Sequence, residues 1–202
     1  MKKSMTTIGF MTLITIVFIS VLAVINETSR ARIAQNLKIE ESKSILYAFN
    51  IFPQGVDETE LDPAATTSAI PWNEQQIIKK IQNQIKTVTL PITDEQRNLL
   101  IDSYLPLNDS ATVYIRHSEA GEVVAYGFPM KGKGLWGTIS AFGVISEDLQ
   151  KMVGIDFTEQ VETPGLGARI TEIEFKYFFR NLNLKGFNDD SIQEPITLVK
   201  EK

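Results

Sequence analysis

The sequence predicts an α+β protein, in which a single N-terminal transmembrane helix is followed by one domain built on an antiparallel sheet. Three observations carry that prediction. From Ser4 to Asn26, SMTTIGFMTLITIVFISVLAVIN, no residue is charged. From Ala111 onward, β-rich runs alternate with short polar turns. The 202 residues leave room for one domain with a real core beside an anchor, since domains hold roughly 100 to 200 residues.

The uncharged run covers roughly 35 Å as a helix, enough to cross the hydrocarbon core of a bilayer. Lys2 and Lys3 precede it, and positive-inside logic keeps them in the cytoplasm, with the rest of the chain on the other side. Arg30 and Arg32, just past the far end, work against that orientation. The rival is a cleaved signal peptide. The length of the apolar run and the lack of a small-x-small cleavage site near Ala23 favour an uncleaved anchor in lipid over residues 4–26. The expected division is a cytoplasmic tip and anchor over 1–26, a helical stalk over 27–50, and one domain over 51–202.

In the stalk, Ile33, Leu37, Ile45, Leu46 and Phe49 recur at a loose helical period. Pro53 to Trp72 is rich in Pro, Thr, Ser and Ala and reads as an irregular excursion. Asn73 is a plausible N-cap for a helix to Lys86 with Ile77, Ile78, Ile81 and Ile85 on its apolar side. TVYIRH and EVVAYGF form a hairpin around Ser118 to Gly121, and Leu135 to Ile145 and Met152 to Gln160 are further strands around the turn Ser146 to Lys151. Ile170, Ile173, Phe178 and Leu182 fall near one helical face, and Ile196 to Lys200 is a last short strand.

Composition removes several function classes. A net charge of -5 with no basic stripe argues against nucleic acid. The absence of cysteine excludes disulfides, thiolate nucleophiles and thiolate metal sites. His117 is the single histidine, and beside Ser118 and Glu119 on a strand it reads as a surface hairpin residue rather than part of a triad. The acidic groups Asp57, Glu58 and Glu60, and Asp189 and Asp190, lack calcium-loop spacing and read as solvated turns. Neither a dinucleotide fingerprint, a P-loop nor a hydrolase elbow is present. No catalytic and no metal-binding residue is assigned, so redox chemistry would need a bound cofactor.

Two glycine-rich strings remain, KGKGLWGT at Lys131 to Thr138 and ETPGLG at Glu162 to Gly167. Glycine admits close backbone approach, lysine attracts phosphate, and Trp or Leu can flank a flat ring. On composition alone each string serves equally as a turn or as core packing.

The succession of KGKGLWGTI, a strand, a polar turn, VGIDFTEQVETPGLGARI and an aromatic segment resembles the FMN-binding domain of membrane redox complexes. It is most similar to the C subunit of the sodium-pumping NADH:quinone reductases, and next to the G subunit of Rnf complexes. The resemblance is densest from Lys131 to Phe179. It implies an FMN-binding-type domain outside the bacterial inner membrane, on the periplasmic side, that passes electrons between other subunits of an ion-translocating complex. It places Trp136 near the flavin ring and Glu162, Thr163, Leu166 and Gly167 in the loop that lines it. Lys133 and Arg169 are added from charge alone, as partners for phosphate or anionic flavin.

The family's later Ser-Gly-Ala-Thr motif, whose threonine esterifies the FMN phosphate, is not in this sequence. DSATVY at Asp109 to Tyr114 lacks the glycine and lies upstream of ETPGLG. Two readings follow, a chain shortened before the motif and a variant without covalent flavin. A membrane-anchored structural or interaction subunit that has lost its flavin is the alternative function. A detached FMN-dependent reductase needs a substrate pocket that these residues do not indicate.

Overall fold

The computed structural model describes residues 2–99 and 110–184. The expected strand Ile196 to Lys200 and the pair Asp189 and Asp190 lie outside the described residues. Contacts divide the chain into a unit ending at Glu40 and a unit beginning at Glu41.

Helix α1, Lys2–Ala48, is continuous. Its first unit contains one segment long and apolar enough to cross a membrane. Hydroxyls within and just past the apolar run are satisfied locally: Thr12, Thr15, Ser20 and Thr28 donate to the carbonyls of Ile8, Met11, Ile16 and Val24. That back-bonding lets polar side chains sit in an apolar helix without an unmet donor.

In the second unit, the sheet is an antiparallel meander in the order β1-β2-β3-β4-β5. Its strands are β1 Ile85–Pro91, β2 Ser110–His117, β3 Val123–Lys133, β4 Thr138–Ser146 and β5 Met152–Glu159. The hairpin expected around Ser118 to Gly121 joins β2 to β3, and the turn expected at Ser146 to Lys151 joins β4 to β5. His117 sits half-buried at the end of β2, beside a register shift.

Three elements differ from expectation. Helix α2, Glu74–Gln84, has the Asn73 cap and a full capping box with Gln76, but ends before Ile85. Ile85 opens β1 instead, because the β-branched run Thr87-Val88-Thr89 pairs with Tyr114, Val113 and Thr112. A short helix, α3, Asp94–Leu99, follows β1. Strand β4 begins at Thr138, since Leu135 to Gly137 form a turn closed by the Gly134 N–H on the Gly137 carbonyl at 2.7 Å. The helical face expected over 170–182 is broken into a 3-10 turn, Gly167–Thr171, and the short helix α4, Ile173–Tyr177. Phe178 is 73% exposed there while Ile173 and Lys176 are buried, so one apolar side chain and an ion pair, in place of a continuous apolar stripe, dock this segment.

The core forms where the end of α1 meets the sheet. Ser44 to Phe49 are buried, and Phe49 lies 5.9 Å from Phe142 of β4 between ring centroids. Gly127 of β3 makes that possible, because a Cβ there would stand 2.7 Å from the Phe49 ring and 2.8 Å from that of Phe142. On the other side Tyr47 packs with Ile70 and Ile173, covered by Phe52, Leu61, Ala65 and Trp72.

Candidate functional site

The chain buries an unexpected set of charges around Tyr47. The Arg180 guanidinium donates to both oxygens of Glu58, at 3.1 and 3.0 Å, and to the carbonyls of Tyr47, Ala48 and Val153. Arg116 donates to the Phe49 carbonyl at 2.7 Å. Carbonyls at the end of a helix have no intrahelical donor, and here two arginines supply them. Lys176 donates to Asp156 at 2.8 Å and to the Thr67 hydroxyl. The two cations stand over the Tyr47 ring, Lys176 Nζ at 4.4 Å and Arg180 Cζ at 4.8 Å from its centroid.

Burial sets the protonation of this cluster. It pushes the Lys176 ammonium below its ordinary pKa, with Asp156 pulling in the opposite direction. It lifts the Tyr47 phenol well above the usual tyrosine range, and the Glu58 charge adds to that. The expectation that Glu58 belongs to a solvated turn is therefore corrected: its side chain is 8% exposed and paired, while its neighbour Asp57 caps a 3-10 turn through Thr59. The sequence held two signals for the cluster. Asp156 is a lone charge in the apolar strand run VGIDF, and Lys176 and Arg180 are spaced i, i+4 among aromatics.

The two glycine-rich strings come together at the opposite kind of place. The stretch 131–138 lines one open concavity, which brings Lys133 and Trp136 to the same surface. Thr163 to Leu166 is a β-turn closed by the Leu166 N–H on the Thr163 carbonyl at 3.1 Å. Pro164 takes its second position, and Gly165, at φ +74°, its third, which requires positive φ in a type II turn. The strings are linked by Glu162, whose Oε1 accepts the Trp136 backbone N–H at 3.1 Å.

Packing explains Gly134, Gly137 and Gly167. A Cβ on Gly137 would fall 2.3 Å from Val161 Cγ2, and one on Gly134 would fall 2.2 Å from Glu162 Oε1. A Cβ on Gly167 would stand 2.9 Å from the Glu162 Cβ. Segment 161–162 thus fills the space that all three glycines leave. At the tips, Trp136 is 69% and Leu166 73% exposed. Arg169 lies with Leu166 and Gly167 along a second concavity, and Glu172 engages its guanidinium at 3.0 Å. Among the described residues no group of three or more His, Cys, Asp or Glu could hold a metal ion.

These residues suit a flat, partly apolar, anionic ligand. Trp136 and Leu166 offer apolar faces at the loop tips, Lys131 and Lys133 offer cations beside one of them, and the loops are held by backbone and carboxylate bonds. FMN combines a planar ring with a phosphate, and the donor set fits it.

Comparison with known proteins also points to FMN. Residues 134–199 match the model of the FMN-binding domain. The C subunit of the Na(+)-translocating NADH-quinone reductase of Pasteurella multocida is 30% identical over 92 residues, 46% of this chain and 34% of that protein. The same subunit of Vibrio alginolyticus is 35% identical over 92 residues, again 46% and 34%. The matched stretches thus span about a third of these relatives' length. Among solved structures, NqrC of Shewanella oneidensis superposes with a TM-score of 0.57 at 18% identity, over 82% of this chain and 78% of that one. The corresponding subunit from Parabacteroides distasonis gives 0.51 at 22% identity, over 76% and 69%. The resemblance read from the two glycine-rich strings stands: the chain has the α+β fold of these NqrC structures, and the stretch that matches the FMN-binding domain begins at Gly134, in the first of its two loops.

Proposed function

We propose that the chain is a membrane-anchored flavin carrier that binds FMN between loop 134–137 and loop 162–167. It would pass electrons within a Na(+)-translocating NADH:quinone reductase or a related Rnf-type complex. The observation that carries this reading is the pairing of two exposed, large apolar side chains, Trp136 and Leu166, on loops joined by Glu162. Apolar surface gathered at one place, as opposed to scattered single residues, marks a ligand or partner site, and Glu162 gathers these two loops. The names of the relatives favour the quinone-linked complex over the ferredoxin-linked one.

FMN supplies the one- and two-electron chemistry when bound. The chain's own residues position it. Trp136 and Leu166 would give the bound group apolar contact and exclude water from it, and Thr163 would offer a hydroxyl. Lys133 neutralises phosphate, and Lys131, on the same concavity, adds to that field. Arg169, with Glu172 on its Nε, would act through its remaining N–H groups. Residues 4–26 hold the protein in the inner membrane, with Lys2 and Lys3 cytoplasmic and the domain periplasmic.

The test is the flavin content of the full chain, purified in detergent after expression with its neighbouring subunits and supplied with FMN. Flavin absorbance that co-purifies and quantifies after denaturation is the expected result. A colourless chain that stays assembled with membrane partners would instead support a subunit that keeps the fold without the cofactor.

A further inference from the structure

Glu162 is placed unlike the other residues of its loop. It is half-buried, and its carboxylate reaches across to a backbone amide 26 residues upstream. The same side chain lies where both loops carry glycine: Oε1 occupies the space beside Gly134, while Oε2 would be 3.1 Å from a Cβ on Gly167. Its own N–H is held by the Gln160 side chain at 2.6 Å, which fixes the segment that presents it. Val161 next to it fills the gap left by Gly137. Loop 134–137 is a short turn closed by a single bond between Gly134 and Gly137. Its hold on the neighbouring loop therefore depends on Val161 packing and on the Glu162 oxygen.

We infer that Glu162 is a positioning residue, which sets Trp136 relative to Leu166 by binding the Trp136 amide. This rests on the flavin-site reading above. A carboxylate oxygen accepting a backbone N–H makes a charge-assisted bond, stronger than a neutral one. Such a bond can fix an exposed aromatic that has little packing of its own.

The experiment compares wild type, Glu162→Ala and Glu162→Gln as full chains in detergent, with Gly134→Ala, whose Cβ would fall 2.2 Å from Glu162 Oε1 and 2.9 Å from Ile139 Cδ1, as a second way to displace the carboxylate while keeping it. In the flavin-free protein, exchange of the Trp136 backbone amide should quicken by about tenfold or more in Glu162→Ala and in Gly134→Ala. Glu162→Gln, which keeps an acceptor oxygen, should stay within about threefold of wild type. With FMN, the dissociation constant should rise by about tenfold in the first two variants and the flavin potential should shift, with Glu162→Gln between them and wild type.

An unchanged Trp136 amide in both Glu162→Ala and Gly134→Ala overturns the inference. So does a freed amide with FMN affinity and potential unaltered, because Glu162 then only packs the turn. A wild-type chain that takes up no FMN defeats the flavin-site reading instead, and the amide arm alone decides whether the link between the loops exists.

Discussion

Two regions of this domain invert the usual distribution of polarity. Around Tyr47, Asp156 and Lys176 are buried, the Glu58 and Arg180 side chains are 8% exposed, and all four are hydrogen-bonded, while at the loop tips Leu135, Trp136, Val161 and Leu166 are exposed. The difference teaches where the chain is complete in itself. Each of these four charges meets a partner within the domain, whereas the buried Tyr47 hydroxyl and Arg116 Nε meet none among the described residues, and the paired charges join the last turn of α1, strand β5, helix α4 and the 3-10 turn at Glu58. Among the described residues these tips stay uncovered, on turns closed by backbone bonds, the arrangement expected of a surface that takes a ligand or partner.

The comparison breaks most sharply at Arg180. Arg180→Ala should lower the unfolding free energy by about 3–5 kcal/mol, because Glu58 would stay buried without its partner and the carbonyls of Tyr47, Ala48 and Val153 would lose donors. Denaturant unfolding of the full chain in detergent measures it. A loss under about 1 kcal/mol would place the pair among ordinary surface ion pairs and dissolve the contrast.

That cluster is the part least legible in the sequence. Lys176 and Asp156 are 20 residues apart and Arg180 and Glu58 are 122 apart, so no local spacing announces either pair. Local signals serve well elsewhere. The Asn73 cap, the hairpin at Ser118 to Gly121 and the Thr-Pro-Gly turn each depend on a few adjacent residues. Strand β1 escapes a local reading because Ile81 and Ile85 share a helical spacing, and only pairing with β2 decides that Ile85 leaves the helix. At the loops, the strings around Trp136 and Leu166 are visible as text. Their glycines suggest room for a ligand, whereas at Gly134, Gly137 and Gly167 the room is taken by Val161 and Glu162.

Gly137→Ala probes the loop side next. Its Cβ would stand 2.3 Å from the stiff, branched Val161, so the turn or the Val161 segment must shift, at a cost of about 1–3 kcal/mol. The useful readout is which property moves. Flavin affinity should fall further than stability alone explains, because the shift displaces Trp136; equal losses would make the turn a plain structural element.

Protonation gives a smaller and signed effect on the cluster side. Because burial depresses the Lys176 pKa, the folded chain holds that proton less tightly than the unfolded chain, whose lysine titrates near 10.5. Between the depressed value and that one the unfolded state binds more protons, so stability rises with pH through this window. Asp156 and Glu58, which favour the ammonium, reduce the size of the rise, and Arg180 opposes them. Tyr47 and Tyr114, whose phenols burial raises, work in the opposite direction only above about 10. Unfolding measured in steps from neutral pH to about 10 should therefore show a positive slope in wild type that is absent in Lys176→Met. A slope of equal size in both would assign it to other groups.

Trp136→Ala is expected to have the smallest effect on folding and decides the most about function. With the side chain 69% exposed and its amide, not its ring, bound by Glu162, the truncation should change stability by no more than about 0.5 kcal/mol. The amide remains in the variant, so the link to Glu162 and the packing of Val161 on Gly137 should persist. What disappears is one apolar wall. If the ring covers FMN, the flavin absorbance or potential must change while the denaturation midpoint holds. A variant that alters neither would leave Trp136 as surface with another use, and the exposed tips would then need a protein partner rather than a flavin to complete them.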